Sequence, residues 1–382
     1  MRAGLVIYDD LDSISGGYLY DRKLVAYLRN LGDEVEVISI RGRNYAQHLL
    51  DNISPGLLRR FKRGHFDVLL QDELNHPSLF ALNRMFPHDL PSNQDRLSPA
   101  YADQRTNPCF PVITIVHHLR SCEEFPDPQK KLYRFIESQY LSSVDGFIFN
   151  SRATKGEVIR AGVNLRGRPS IIAHPAGDNL KSDITESEIK NRARAAGPLR
   201  LVFVGNIIPR KGLHILLEAL EPIPNNLYHL DIVGSIPIDS NYGQEIRNML
   251  SNRAAAGTIT IYGYLDDIQL GQILRKSHLM VVPSSYEGFG ISYLEGMGFG
   301  LPAVGTNAGG AAEVITHGSD GYLIKPGDTQ ALQQHILELA HDRGRLLQMS
   351  LAAYRRFKGH PSWDLTCKSI RDFIVSICMG NQ

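Results

Sequence analysis

Short apolar runs alternate with helix-length amphipathic stretches along nearly the whole chain. The runs are rich in Val and Ile and apolar on both faces, which is typical of strands buried in a parallel sheet. In the first half, strands are predicted at 4–8, 34–40, 67–71, 112–117, 146–150 and 170–174. In the second half they are predicted at 199–205, 227–234, 258–263, 278–284, 301–306 and 321–326.

Amphipathic helices are expected between these runs, for example over 18–32 and 151–162, where Ser151 is a candidate N-cap. The alternation lapses in a polar stretch that precedes residue 199, and a long proline-containing loop is predicted over 84–110. Two successive strand–helix series predict two doubly wound α/β domains with parallel sheets. Ligands of such sheets bind beyond the carboxyl ends of the strands.

Composition and charge narrow the class of protein. The 382 residues include 41 Lys+Arg and 40 Asp+Glu, a net charge of +1, which argues against a dedicated nucleic-acid binder. No stretch is apolar for long enough to span a membrane, and the first residues do not resemble a secretory signal. The four cysteines are too few and too scattered for a disulfide framework or a metal site. A cytoplasmic location is therefore expected.

The segment from Ser284 to Ile315 is the most informative about function. A predicted strand is followed by Glu287, by the turn Gly288-Phe289-Gly290, and by a helix that begins at Ile291 and includes Glu295. Glycines at such a junction allow close approach of a ligand, and the free N–H groups of a helix start favour anions. The alternative is that Glu287 only caps the helix and that Glu295 is an ordinary solvated side chain.

A second junction, after the strand at 199–205, holds Gly205-Asn206 and then Arg210-Lys211. Two cations beside a glycine suit a diphosphate, although they are also compatible with an ordinary surface loop. The order of residues is not that of a Walker A loop.

The first half offers weaker candidates. Gly16-Gly17 follows the first strand but lacks the dinucleotide fingerprint, which argues against a nicotinamide or flavin cofactor. His117-His118 ends the fourth strand, and Asp72, Glu73 and His76 follow the third. A basic amphipathic segment at 55–65 is compatible with weak peripheral contact at the inner face of a membrane, or with a helix packed on its own domain.

Taken together, these stretches resemble the family-four retaining glycosyltransferases. The matching pieces are GNIIPRKG, EGFGISYLE, GGAAEVI, the glycine-containing stretch from Gly318 to Asp328, and SWDLT around Trp363. The resemblance implies a GT-B fold of two facing Rossmann-like domains. The implied N-terminal, acceptor-side domain is 1–180 with a returning helix at 361–382, the linker is 181–198, and the donor domain is 199–360.

The resemblance also implies a role for each matched position. Glu287 corresponds to the glutamate that holds the donor sugar, and Glu295 to the glutamate that binds the ribose. Lys211 corresponds to the lysine on the donor phosphates, with Arg210 as a second cation, and His117 to a histidine near the donor sugar. Donor contacts are implied for Gly16, Gly17, Gly205, Asn206, Gly288, Phe289, Gly290 and Ile291, and acceptor contacts are suggested for Glu73, His76 and His118.

The expected reaction is transfer of a hexosyl group from a UDP- or GDP-linked sugar to an acceptor hydroxyl, with retention and without a metal or other cofactor. The acceptor (glycan, lipid or small molecule) and the oligomeric state are not readable from the sequence. The family pattern is broken at Asn206, where an arginine is usual, and at HPAGD (174–178). The alternatives are a non-catalytic sugar-nucleotide-binding protein, a GT-B sugar-nucleotide epimerase and a Rossmann oxidoreductase.

Overall fold

Two six-stranded parallel sheets organise the chain in the computed structural model, which describes residues 1–85, 110–123, 125–237, 240–254 and 257–379. All twelve predicted strands are present within these ranges, most of them within two residues of the predicted bounds. The chain divides into two compact units, Met1–Pro175 with Asp364–Gln382, and Ala176–Trp363. Most of the loop predicted at 84–110 lies outside the described residues.

The first unit contains one sheet and the helices that connect its strands. Its strands are β1 (Arg2–Tyr8), β2 (Glu34–Ile40), β3 (Val68–Asp72), β4 (Val112–Val116), β5 (Gly146–Phe149) and β6 (Ser170–Ile172). Its helices are α1 (Gly16–Asn30), α2 (Tyr45–Leu49), α3 (Pro55–Arg63), α4 (His76–Leu79), α5 (Asp127–Leu141) and α6 (Arg152–Arg160). The strand order is β2-β1-β3-β4-β5-β6, so the order reverses between β1 and β3.

The second unit is a separate sheet with its own helices. Its strands are β7 (Leu199–Val204), β8 (Tyr228–Val233), β9 (Ile259–Gly263), β10 (Leu279–Val281), β11 (Ala303–Thr306) and β12 (Gly321–Ile324). Its helices are α7 (Glu186–Arg194), α8 (Leu213–Leu220), α9 (Asn241–Ala254), α10 (Asp267–Lys276), α11 (Ile291–Gly298), α12 (Ala311–Val314), α13 (Thr329–His341) and α14 (Arg343–Lys358). The order β12-β11-β10-β7-β8-β9 reverses between β7 and β10.

The segment 181–198 was expected to be a linker but contains a helix of the second unit. Helix α7 begins at a capping box in which Thr185 Oγ1 accepts from the Glu188 amide and the Glu188 carboxylate accepts from the Thr185 amide. Its Ile189 and Ala193 are buried, and α7 packs on α14. Charged residues on the outer face of this short helix gave the segment its polar composition.

The last helix, α15 (Trp363–Cys378), returns to the first unit, as the SWDLT resemblance implied. The Arg371 guanidinium lies 2.7 Å from Asp33, and Thr366 Oγ1 donates to the His174 carbonyl. Within the described ranges, no helix combines the length and the apolarity needed to cross a bilayer. These two α/β units with their parallel sheets form a GT-B fold.

Candidate functional site

The second sheet reverses its strand order between β7 and β10, which places the loops after these two strands side by side. Ligands of doubly wound sheets bind at such a point, because neighbouring connections leave the sheet on opposite faces there. The loop after β7 carries Arg210 and Lys211, and the loop after β10 carries Glu287. The two stretches that the sequence singled out therefore converge.

Lys211 and Glu287 form a close ion pair. Lys211 Nζ lies 2.6 Å from Glu287 Oε1, and Ser284 Oγ donates to the same oxygen at 2.6 Å. The Lys211 side chain is 16% exposed and that of Glu287 is 7% exposed. Both groups are therefore largely buried, and the ammonium is the more exposed of the two.

Arg210 adds a second positive charge to the same carboxylate. Its Nη1 lies 3.8 Å from Glu287 Oε2 and donates to the Tyr286 carbonyl at 2.9 Å. The backbone is also joined here, since the Ser285 amide donates to the Arg210 carbonyl at 2.8 Å. Both cations are thus fixed to the loop that holds Glu287.

These neighbours set the ionisation of Glu287. Burial alone would raise the pKa of this carboxyl, but the positive charges of Lys211 and Arg210 and the hydrogen bonds from Lys211 and Ser284 hold it below its ordinary value. Glu287 is therefore an anion at neutral pH, and it acts as a hydrogen-bond acceptor.

Glycines allow the backbone around Glu287 to pack closely. Gly309 has φ +78°, and the Gly310 amide donates to the Glu287 carbonyl at 2.7 Å. A Cβ at Gly310 would lie 2.4 Å from the Gly288 carbonyl oxygen. Because any side chain would force these strands of backbone apart, the GGAAEVI motif supports the Glu287 loop.

Helix α11 begins directly after this loop, with Gly290 as its N-cap at φ +104°. No side chain caps the helix, so the alternative of Glu287 as a capping residue does not hold. Phe289 is buried, whereas Gly288, Ile291 and Glu295 are partly exposed. Gly205 and Asn206 directly follow the neighbouring strand β7, and Gly205 lies beside the Lys211 stem.

In the first unit, Gly16 and Gly17 form the first turn of α1 rather than a loop. The helix begins there because the Ser15 side chain accepts from the Tyr18 amide. A Cβ at Gly17 would lie 3.2 Å from His117 Cδ2, so the glycine lets the imidazole ring pack against the helix start. Gly17 and His117 are thus neighbours within this unit.

His117 belongs to a buried polar cluster at the reversal point of the first sheet. His117 Nε2 lies 3.3 Å from Asp21 Oδ1, and the ligand atoms of Asp21, Asp72 and His117 all lie within 4.8 Å of one another. The His117 amide donates to Glu73 Oε2 at 2.9 Å, and its carbonyl accepts from Asn150 at 2.8 Å. The three groups are close enough to share a proton or one small cation.

The charges of this cluster are strongly coupled. Burial would lower the pKa of His117, but the hydrogen bond to Asp21 and the nearby carboxylates raise it to about 9. Burial and the charge of Asp21 raise the pKa of Asp72 to about 7. His117 is therefore a cation at neutral pH, held by an anionic Asp21.

The three suggested acceptor residues occupy different environments. Glu73 is 1% exposed, and its Oε2 accepts from the His117 and His118 amides. His76 is equally buried, with Nδ1 on the Glu73 carbonyl and Nε2 on the Tyr45 hydroxyl. These contacts make Glu73 and His76 supports for the loops rather than surfaces for an acceptor. His118 is partly exposed and pairs with Glu123 at 3.1 Å.

Segment 55–65 contains helix α3, and its apolar face is occupied. Phe61 is fully buried, and Leu57 and Leu58 pack against the core of the first unit. Apart from Pro55, the exposed side chains of α3 are cationic, and one of them, Arg60, pairs with Glu36 at 3.1 Å. No apolar face of α3 is left to insert into a membrane, so any contact of this helix with a membrane would be electrostatic.

Two residues of these clusters were missed from the sequence. Asp21 shares the buried face of α1 with Leu24, Val25 and Leu28, so a charged residue on an apolar stripe was the available signal. Ser284 carried no signal, because its role depends on a carboxylate that folds back over a short turn.

Part of the chain matches a known family model, and several curated proteins are similar to the chain in sequence. The family model "Glycosyl transferases group 1" matches residues 185–356, which include Lys211, Glu287 and Glu295. D-rhamnosyltransferase WbpZ of Pseudomonas aeruginosa is 28% identical over 235 residues, covering 60% of this chain and 58% of the relative. A GDP-mannose-dependent phosphatidylinositol monomannoside mannosyltransferase of Mycobacterium tuberculosis is 25% identical over 207 residues, covering 52% and 53%. The matches thus span only a little over half of these relatives.

Solved structures match over the whole length. Sucrose-phosphate synthase of Thermosynechococcus elongatus has a TM-score of 0.79 at 16% identity and covers 100% of both chains. HepE of Anabaena, solved with UDP and glucose, has a TM-score of 0.75 at 18% identity and covers 98% of this chain and 100% of its own. The chain thus has the GT-B fold, and its residues 185–356 match the family model of the glycosyl transferases group 1.

Proposed function

We propose that the protein is a retaining glycosyltransferase that moves a hexosyl group from a UDP- or GDP-linked sugar to an acceptor hydroxyl. The observation that carries the proposal is the cluster of Lys211, Arg210 and Glu287 at the reversal point of the second sheet. It joins two cations to an ionised carboxylate beside an uncapped helix start. The two curated relatives reported above are a D-rhamnosyltransferase and a GDP-mannose-dependent mannosyltransferase.

In the proposed complex, the donor diphosphate contacts Lys211, Arg210 and the amides around Gly290. Negative charge grows on the diphosphate as the bond to the anomeric carbon breaks. Fixed cations and helix-start amides stabilise that charge more in the transition state than in the ground state. The donor would take hydrogen bonds of Lys211 that Glu287 accepts in the free protein, which leaves the carboxylate available to sugar hydroxyls.

Retention requires that the new bond form on the face from which the diphosphate departs. The acceptor oxygen bonds to the anomeric carbon, and its proton passes to the departing phosphate oxygen. No protein base and no metal are assigned to this step. Glu295, one turn into α11 and partly exposed, is proposed to bind the ribose hydroxyls, with Gly205 and Asn206 on the opposite side of the nucleotide.

The first unit is proposed to bind the acceptor. Its candidate surface is the carboxyl edge of its sheet, where Gly17 lies at the start of α1, Asp72 at the end of β3 and His117 directly after β4. The cationic His117 is proposed to donate to a hydroxyl of the donor sugar. A cytoplasmic location is proposed as well, since nucleotide sugars would be available there.

A panel of UDP- and GDP-hexoses tests the function directly. The first measurement is the shift of the melting temperature with each nucleotide sugar, because a ligand that binds only the native state raises its stability. The second is mass-spectrometric detection of a hexosylated acceptor, with the anomeric configuration read by NMR. Binding without product would favour a non-catalytic protein, and interconversion of the donor sugar without acceptor would favour an epimerase. Neither result is expected.

A further inference from the structure

An arginine enclosed by aromatic rings lies at the carboxyl edge of the first sheet. Arg120 begins the 3₁₀ turn Arg120–Cys122, three residues after His117. Its guanidinium carbon lies 5.6 Å from the ring centre of Tyr45, 5.4 Å from that of Phe125 and 5.0 Å from that of Tyr133. Cation–π contacts of this kind fix a guanidinium without neutralising its charge.

Tyr45, Phe125 and Tyr133 form an aromatic cage around Arg120, and hydrogen bonds hold its two tyrosines in place. His76 Nδ1 faces the Glu73 carbonyl, which can only accept, so Nδ1 carries the proton and Nε2 accepts from the Tyr45 hydroxyl. Burial lowers the pKa of His76 to about 3, which keeps this ring neutral. The Tyr133 hydroxyl accepts from Gln129 Nε2 at 2.5 Å. Both tyrosine rings therefore present fixed faces.

Arg120 forms no direct ion pair with a carboxylate of the described residues, although its positive charge partly offsets the rise that burial causes in the pKa of the nearby Glu137 carboxyl. Among the described residues, no carboxylate oxygen lies within 4.0 Å of its guanidinium, and its buried Nε has no hydrogen-bond partner. The Glu137 carboxylate instead accepts from the Ser121 amide, and Glu123 pairs with His118. The arginine is nonetheless only partly buried, so a ligand can reach it.

We propose that Arg120 binds a phosphate-type oxyanion carried by the acceptor substrate. A planar guanidinium with unused N–H donors matches such an anion in a bidentate geometry, which a flexible lysine would not. The aromatic cage lowers the entropic cost of binding, because the guanidinium group is already held in one orientation. The assignment to the acceptor rests on the proposed function, whereas the anion site itself does not.

The test reads the Arg120 Nε–H signal in a ¹⁵N-labelled protein. The signal is assigned by its disappearance in Arg120→Lys, and inorganic phosphate is then titrated against potassium chloride of equal ionic strength. A saturable shift with phosphate alone is expected. The backbone amide signals of the Arg120–Cys122 turn, which remain in both proteins, should show that Arg120→Lys binds phosphate about tenfold more weakly, as expected for the loss of one charge-assisted hydrogen bond. Arg134→Gln, which removes an exposed cation from α5, should leave the shift unchanged.

Two soluble probes distinguish the source of the anion. Glycerol phosphate represents a free phosphomonoester, and dihexanoyl phosphatidylglycerol below its micelle concentration represents a lipid headgroup. A shift with either one supports the proposal. Equal shifts with chloride, or no shift with any phosphate compound, would overturn it. Because no sugar nucleotide is present, a failure here is separate from a failure of the donor panel.

Discussion

Lys211 Nζ lies 2.6 Å from Glu287 Oε1 although 76 residues separate the two positions. The pair joins a cation expected on the donor phosphates to a carboxylate expected on the donor sugar. In the free protein each group therefore satisfies the other, and the buried carboxylate stays ionised. A donor that inserts between them would give Lys211 a phosphate and Glu287 sugar hydroxyls as new partners, so neither buried charge would be left unpaired.

Removal of the lysine should impair transfer more than folding. Lys211→Ala is expected to lose about 2–4 kcal/mol of transition-state stabilisation, by analogy with other fixed charge-stabilising groups, and Glu287→Ala should lose a similar amount. The measurement is kcat/KM for the donor identified by the panel. Lys276→Ala, an exposed lysine of the same unit, is the matched control. Wild-type turnover in the Lys211 variant, with an unchanged melting temperature, would contradict the assignment.

The lowered pKa of Glu287 predicts how stability changes in acid. A carboxyl whose pKa is lower in the folded than in the unfolded protein contributes stability above its unfolded value, about 4.3, and loses it as the pH falls through the folded value. Glu287→Gln removes this contribution. Urea unfolding of both proteins at pH 7 and at successively lower pH should therefore show a difference that narrows in acid. A difference that is constant with pH would mean that Glu287 is not paired as the structure shows.

The strands could be predicted from the sequence, but the helix in segment 181–198 could not. All twelve strands could be predicted, because runs such as 112–117 are mostly apolar, β-branched and bounded by turns. The linker was misjudged, because only Ile189 and Ala193 of α7 are buried and the outer face dominates its composition. Local patterns thus identify strands that are buried on both faces better than a helix that buries only two side chains.

Individual residues of the candidate sites could be identified from the sequence, but the contacts between them could not. Lys211 and Glu287 were each found from local motifs, but their contact depends on the order of β7 and β10 in the sheet, which no local pattern encodes. His76 was an acceptor candidate by its position after β3, and only the three-dimensional structure shows that both ring nitrogens are engaged. The cage around Arg120 combines three separate segments, so it could not be read from the sequence.

The His117 cluster should be visible in a pH titration. The NMR signal of the His117 imidazole is expected to titrate near pH 9. In Asp21→Asn it should titrate closer to the ordinary value of about 6.5, because the hydrogen-bonded anion is gone. Equal His117 values in both proteins would show that Asp21 does not set its charge.

Transfer is expected to continue without a divalent metal. In the proposed complex, Lys211 and Arg210 would supply the positive charge that a metal would otherwise provide to the diphosphate. The measurement compares initial rates after dialysis against EDTA with rates after addition of Mg²⁺ or Mn²⁺. Loss of activity with EDTA and its recovery with metal would contradict this expectation. Asp72→Asn would then show whether the Asp21, Asp72 and His117 cluster is involved.

Contact with a membrane through α3 should depend entirely on charge. Phe61 is buried, whereas Arg59, Lys62 and Arg63 are exposed, so the helix offers cations and no apolar surface for insertion. Co-sedimentation with phosphatidylglycerol-containing vesicles is expected at low ionic strength and should weaken towards about 0.15 M salt, where the Debye length is about 8 Å. Replacing Arg59 and Lys62 by alanine should weaken it further, whereas phosphatidylcholine vesicles should not bind. Binding that does not depend on salt concentration would require an apolar contact elsewhere in the protein. No binding at all would contradict membrane contact through α3.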